Sequence, residues 1–283
     1  MIEGRPSETA IQVAAAREAH RRYDEGPPLL DDVHAAALLD ASGRALVETY
    51  GDDAPWILRE NRLFLPLRAR FVEDRLAEAY ACGVRQYVIL GAGLDSYAWR
   101  QPSGQDALRI YEVDHPSTQQ WKVDRLAGLG WPLPSNARMV ACDFEATTAS
   151  EALSGTDFDP SQPAIVSWMG VVYYLERETA AAALRDLAAI LAPGSELVFD
   201  AMLPWEAMPE RYHAIREQMV AWLKGAGEPQ KNRYLPAELV EAARAAGFGE
   251  TEVVDVPTLY ARYADGAPTA PLTERFFLAI AKR

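Results

Sequence analysis

Two short apolar runs end in residues able to hold a ligand, and they dominate the chemistry legible in this chain. Residues 87–90 run directly into Gly91, Ala92 and Gly93, and residues 109–113 end in Asp114. Glycine lets the backbone bend sharply after a strand and lets a ligand approach the main chain where a Cβ would block it. An acid closing the next strand, about twenty residues further on, is placed to accept both hydroxyls of a ribose. Strand, glycine turn, helix, strand and acid together predict a site for a nucleoside-containing cofactor.

By itself this pattern suits a nicotinamide dinucleotide as well as S-adenosyl-L-methionine. The dinucleotide fingerprint asks for a third glycine and for a helix N-terminus facing a pyrophosphate. Here Ser96 stands at the third position and Asp95 lies beside the expected phosphate. A carboxylate there repels a pyrophosphate but suits a sulfonium or an ammonium. The local chemistry therefore favours S-adenosyl-L-methionine. An NAD(P)-dependent oxidoreductase and a non-catalytic nucleoside-binding scaffold are the competing readings.

These residues need a scaffold, and hydrophobic periodicity outlines one. The first eighty residues read as helical: a segment over 9–22, a break at Gly26-Pro27-Pro28, a short helix to Leu39 capped by Asp31 or Asp32, and an amphipathic helix over 62–81 ending at Gly83. Strands are then expected at 86–90, 109–113, 137–141, 164–168, 196–200, 252–256 and 275–281, with helices at 115–129, 177–191 and 236–246. The alternation predicts parallel βαβ units. The loop over 257–271, with no obvious helix, predicts a hairpin and so one antiparallel strand. Trp205, Met208, Tyr212, Ile215, Met219 and Trp222 recur at steps of three and four, as on one face of a helix inserted after the fifth strand. That stripe fits either a core-facing helix or a lid over an apolar acceptor.

Composition narrows the partners. With 283 residues and a formal charge of −13, the chain repels phosphate backbones and anionic lipid, so neither nucleic acid nor a membrane is expected as a partner. No apolar run approaches the ~18 residues a membrane span needs. The two cysteines, Cys82 and Cys142, lack metal-ligand spacing and read as buried thiols of a reducing cytoplasm. No metal is expected. Residues 1–5 resemble a protease recognition sequence and are set aside from the fold.

A longer ordered set of motifs carries a resemblance. Arg68-Ala-Arg-Phe-Val-Glu-Asp74, Val88-Ile-Leu-Gly-Ala-Gly-Leu-Asp95, Tyr111-Glu-Val-Asp-His-Pro116 with Lys122, Cys142-Asp-Phe144, Gly170-Val-Val-Tyr-Tyr-Leu175 and Ala192-Pro-Gly-Ser195 follow one another as in the leucine carboxyl methyltransferase family. The resemblance spans roughly residues 8–205, and it is nearest the bacterial branch associated with polyketide and other secondary-metabolite O-methylation. It implies an α/β fold. Its core is a seven-stranded, mostly parallel, Rossmann-like methyltransferase sheet with the last strand antiparallel. An N-terminal helical cap (1–83) precedes this core (84–283), which carries a helical lid insert at about 203–235. It also implies roles: Arg68 clamping the cofactor carboxylate, Gly91, Ala92 and Gly93 lining its methionine and ribose, Asp114 taking the ribose hydroxyls, and Asp143 with Phe144 contacting adenine. A surface ion pair for Arg68 and a helix cap for Asp143 are the plainer alternatives. One departure stands out, because the family usually places Glu, a partner for the cofactor's ammonium, where this chain has Met169.

The expected reaction is S-adenosyl-L-methionine-dependent methylation of a small, aromatic or apolar secondary metabolite, led by O-methylation, with C-methylation of an electron-rich ring such as indole as the variant. A homodimer is an open expectation. Bases are scarce among four histidines. His115 reads as structural or on the cofactor side, His20 as solvated, and Tyr23 as the candidate for touching the acceptor or handling its proton.

Overall fold

The computed structural model describes residues 6–264 and 266–283, so the protease-like residues 1–5 lie outside it. Helix α1 (Glu8–Tyr23) starts at Ser7, whose side chain accepts the N–H of Ala10, and buries a face of Ala14, Ala15, Ala16 and Ala19. Such small side chains let it lie close to its neighbours. Short helices α2 (Ala35–Leu38) and α3 (Ala41–Glu48) follow, α3 being capped by Asp40. Neither Asp31 nor Asp32 caps α2 with its side chain in the expected way. Asp32 is instead fully buried, 3.1 Å from Arg17 and 3.2 Å from Arg100, and accepts the Ser96 hydroxyl at 2.6 Å. Helix α4 (Trp56–Ala81) begins six residues before the expected start and tolerates Pro66 in its interior. Its buried Leu63, Leu67 and Phe71 hold it against the sheet, which outweighs the backbone hydrogen bond that proline removes.

From β1 (Gln86–Leu90) onward the alternation holds: α5 (Tyr97–Arg100), β2 (Arg109–Asp114), α6 (Pro116–Leu129), β3 (Ala137–Ala141), α7 (Ala149–Ser154), β4 (Ile165–Trp168), α8 (Arg177–Ile190) and β5 (Glu196–Met202). The chain continues through α9 (Glu210–His213), α10 (Arg216–Gly225), α11 (Pro236–Ala246), β6 (Thr251–Asp255), α12 (Val256–Tyr260) and β7 (Phe276–Lys282). The seven strands are ordered β3-β2-β1-β4-β5-β7-β6, with β7 antiparallel to both its neighbours and the other pairings parallel. The β6–β7 connection does contain a helix. Asp255 accepts the N–H of Thr258 and Pro257 opens the first turn, a start signal the sequence reading passed over.

Alternation along β1 shows how both faces are covered. Tyr87 and Ile89 pack with α4 on one side, while Val88 and Leu90 join Leu184 and Leu187 of α8 and Leu239 of α11 on the other. The segment after β5 is not one helix. It breaks into a 3₁₀ turn (Trp205–Ala207), α9 and α10, with Pro209 at the α9 N-cap. Trp205, Met208 and Tyr212 go to the core, as one reading expected, whereas Ile215, Met219 and Trp222 line a cavity. Cys142 is buried, but Cys82, at the C-cap of α4, is exposed rather than buried. No helix among the described residues is long and apolar enough to cross a membrane.

Candidate active site

A cavity of about 860 Å³ lies along the carboxyl edge of the sheet, where the strand order reverses between β1 and β4. Such a switch point is where open α/β sheets bind ligands. The volume stands toward the upper end of the ~300–1,000 Å³ usual for small-molecule sites, which suits a cofactor with a second molecule beside it. The structure brings together every cofactor residue expected from the sequence. Gly91, Ala92 and Gly93 follow β1, Asp114 ends β2, Asp143 and Phe144 follow β3, Arg68 reaches in from α4, and Met169 follows β4.

The turn after β1 requires its glycines. Gly91 has φ +72, and a Cβ there would fall 2.3 Å from Cγ2 of Val171, so part of the requirement comes from close packing of the loop after β4. Gly93 has φ +51 and faces Ala10 of α1. Asp114 accepts the backbone N–H of Gly93 on Oδ2 and that of His115 on Oδ1 at 2.6 Å. Burial raises its pKa, and those two N–H groups resist the rise. Each carboxylate oxygen keeps a further lone pair for a ribose hydroxyl. Asp143 does not cap α7, which has a capping box of Thr148 and Glu151. Its Oδ1 takes the N–H of Glu145 at 3.0 Å, which holds the carboxyl at the cavity wall beside Phe144.

Arg68 is not on the surface. It is buried, and its Nη1 donates to Asp200, whose other oxygen accepts the N–H of Gly170 at 2.6 Å. Burial alone would lower the pKa of the guanidinium, but Asp200 outweighs it and keeps the group charged. Helix α4, strand β5 and the loop after β4 are thus tied at one point, and a ligand carboxylate would meet the guanidinium edge that Asp200 leaves free. Met169 is half-buried and packs with the apolar cluster against α4. Other carboxylates line the same cavity, among them Glu73 and Asp95, the latter accepting the N–H of Tyr97 at 2.7 Å. The donor set fits S-adenosyl-L-methionine: an arginine, an acid at the end of β2, a glycine turn and further acids beside it.

Tyr23 corrects the sequence reading. It does not line the cavity, and its hydroxyl donates to Glu48 at 2.7 Å. That carboxylate raises the phenol's pKa, the opposite of what a proton acceptor needs. His20 is buried rather than solvated: Nε2 accepts the N–H of Leu29 at 2.8 Å, so Nδ1 carries the proton shared with Asp24 at 2.8 Å. His115 does line the cavity, with Nδ1 accepting the N–H of Ser117 at 3.2 Å. The Cys142 thiol, pushed up to about 11 chiefly by burial, stays protonated near neutral pH. Among the described residues no group of three or more His, Cys, Asp or Glu is placed to hold a metal.

Of the remaining wall, Met219 and Trp222 belong to the stripe noted in the sequence, whereas Trp56, Asn61, Arg275, Phe276 and Glu228 were missed. Trp56 and Asn61 come from α4, Met219 and Trp222 from α10, and Arg275 and Phe276 from the start of β7. Glu228 closes the cavity from the other side, accepting the N–H groups of Glu8 and Thr9 at 3.2 Å each and so holding the first turn of α1. Behind the wall, Asp200 left a usable signal, as an acid within an apolar strand.

Comparison with known proteins agrees with this geometry. The profile of the leucine carboxyl methyltransferase family matches residues 10–188. Bacillus subtilis YktD, an inferred S-adenosyl-L-methionine-dependent methyltransferase, is 29% identical over 273 residues, covering 88% of each chain. A Mycobacterium tuberculosis protein named in the same way is 33% identical over 206 residues, 69% of this chain and 66% of its own. A crystal structure from Thermobifida fusca, described as an inferred methyltransferase, superposes with a TM-score of 0.65 at 18% identity, covering 99% of this chain and 96% of that one, and bears on the fold alone. With more than half of its length matched by the family profile, the chain belongs to the leucine carboxyl methyltransferase family and is an S-adenosyl-L-methionine-dependent methyltransferase.

Proposed function

We propose that the protein transfers the methyl group to an oxygen of a small, aromatic or apolar metabolite bound beside the cofactor. The observation that carries this reading is the division of one cavity. Polar groups follow the ends of β1, β2 and β3, while Trp56, Ile215, Met219, Trp222 and Phe276, from α4, the segment after β5 and β7, line the same cavity. When bound, the cofactor supplies an electrophilic methyl on a positive sulfur. We assign Arg68 to its carboxylate, Gly91, Ala92 and Gly93 to its methionine and ribose, Asp114 to the ribose hydroxyls, and Asp143 with Phe144 to adenine. With Met169 in place of the family glutamate, we assign the ammonium to Asp95, one of several cavity carboxylates, since Glu73 is already paired with Arg100 and Glu228 holds the first turn of α1.

What remains for the chain is to hold the acceptor oxygen in line, near ~3 Å from the methyl, and to keep water out. The aromatic and methionine wall does both. Oxygen is preferred to ring carbon because an acidic oxygen needs little or no help from a base, and Tyr23, the expected proton handler, lies outside the cavity. The test is incubation with methyl-labelled S-adenosyl-L-methionine and a panel of phenols, aromatic acids and indoles, read by mass spectrometry. The reading expects oxygen-linked label on a ring-bearing substrate. Label on carbon alone, or on none of the panel while S-adenosylhomocysteine binds, would reject it.

A further inference from the structure

We propose that Arg275 anchors a carboxylate of the methyl acceptor, so that the acceptor is a ring-bearing organic acid. The inference rests on the cavity reading above and adds the acceptor's charge. Arg275 immediately precedes β7, at the carboxyl edge of β5, where its carbonyl accepts the N–H of Leu203 at 2.8 Å. Its side chain lines the cavity, yet the residue is only 3% exposed.

A guanidinium carries five N–H donors, and when buried it needs partners for them. Here Nη2 donates to Asn61 at 2.9 Å. Nη1 finds only the sulfur of Met219, at 4.0 Å, and Nε has no hydrogen-bond partner among the described residues. The nearest carboxylate, Glu60, is 3.7 Å from Nε, beyond hydrogen-bond reach, and is shared with Arg211 at 3.2 Å and the Tyr212 hydroxyl at 2.8 Å. The rings of Tyr212 and Phe276 lie 5.5 and 5.0 Å from the guanidinium carbon. Burial pulls the Arg275 pKa below its usual value, with Glu60 and Tyr212 only partly resisting. Burial with Arg275 and Arg216 nearby likewise brings Arg233 down to about 10.

Among the described residues, the one buried carboxylate in ion-pair reach of Arg275, Glu60, is divided between Arg275 and Arg211, while Nη1 of Arg275 keeps only a sulfur for a partner. A ligand carboxylate would replace the weak sulfur contact at Nη1 with a charge-assisted hydrogen bond, the strongest pairing open to arginine. Met219 and Phe276 beside it, with Trp56 and Trp222 elsewhere on the same cavity wall, would take the apolar body of that molecule.

The test uses naphthalene-2-carboxylate and its neutral isostere naphthalene-2-carboxamide as probes, titrated calorimetrically into the full-length protein saturated with S-adenosylhomocysteine. The acid is expected to bind at least tenfold tighter than the amide in wild type. Arg275→Met should abolish that preference and Arg275→Lys should keep part of it, with S-adenosylhomocysteine affinity within about twofold of wild type in both. Should Arg275→Met fail to fold, the acid-to-amide ratio in wild type and in Arg275→Lys decides. Equal or absent binding of the acid in wild type, or an acid preference unchanged on substitution, overturns the proposal. Failure of S-adenosylhomocysteine itself to bind would instead overturn the assignment of the cavity.

Discussion

The two halves of the cavity are built differently. The cofactor half is mostly local: apart from Arg68 of α4, its residues follow the ends of parallel strands, and the backbone groups that hold Asp114 come from the adjoining turn and from the next residue. The acceptor half is assembled from α4, the broken segment after β5 and the first residues of β7, which meet only through long-range packing. Rigid strand ends suit a ligand that does not change. A wall of methionine, tryptophan and exposed helix can be altered without disturbing the sheet, as an acceptor site that varies requires.

This contrast can be broken at several points. The largest expected effect is in the cofactor half. If Asp114 takes two ribose hydroxyls as proposed, each charge-assisted bond being worth ~1.5–3 kcal/mol, Asp114→Ala should lower S-adenosylhomocysteine affinity by ~100-fold or more. A calorimetric loss below ~threefold would remove Asp114 from the site. Arg68→Ala strands Asp200 in the core beside Gly170. Breaking a buried pair in this way costs ~3–5 kcal/mol, so the melting temperature should drop together with cofactor affinity. A variant with unchanged melting temperature would show that the pair does not join α4 to β5.

Substitutions in the acceptor half should separate binding of the two ligands. Met219→Ala and Trp222→Ala are expected to weaken turnover of a found acceptor by ~10-fold while changing S-adenosylhomocysteine affinity by less than ~twofold, in line with the loss of one apolar contact. Equal losses of both would mean that the halves are not independent.

A smaller effect concerns pH. Burial would raise the Asp32 carboxyl, but Arg17, Arg100 and the Ser96 hydroxyl together hold it below its usual value. A carboxyl whose folded pKa is depressed stabilises the fold above its unfolded value, ~3.9, and that contribution disappears as pH falls through the lower folded value. Melting temperature should therefore be insensitive to this pair down to about pH 5 and decline below about pH 4. A curve already falling between pH 7 and 5 would need another group. Least affected should be Tyr23→Phe, with turnover within ~twofold of wild type. A loss of ~100-fold would return Tyr23 to the chemistry.

What could be read from the sequence follows the same division. Strands β1 and β3 and helix α11 fall on the residues expected, because buried parallel strands and a Pro-to-Gly helix leave strong local signals. Gly91, Ala92, Gly93 and Asp114 could be picked out as candidates because turn, strand end and acid sit at fixed spacing, whereas Arg68, Asp143, Phe144 and Met169 were reached only through the family resemblance. Arg275, Asn61 and Glu228 were not, since their meaning comes from neighbours more than a hundred residues away, as with Arg275 and Asn61 or Glu228 and Glu8. His20 and Asp32 misled for a related reason. Each looked like a surface or capping residue, and each is buried by partners that sequence proximity does not reveal.

Soaking a crystal of the protein with S-adenosylhomocysteine measures the central claim directly. The account predicts its ribose hydroxyls on Asp114, its carboxylate on the free edge of Arg68, and its adenine between Asp143 and Phe144, leaving the space beside Met219 and Arg275 open. Nucleoside density in that open space, or none at Asp114, would contradict it.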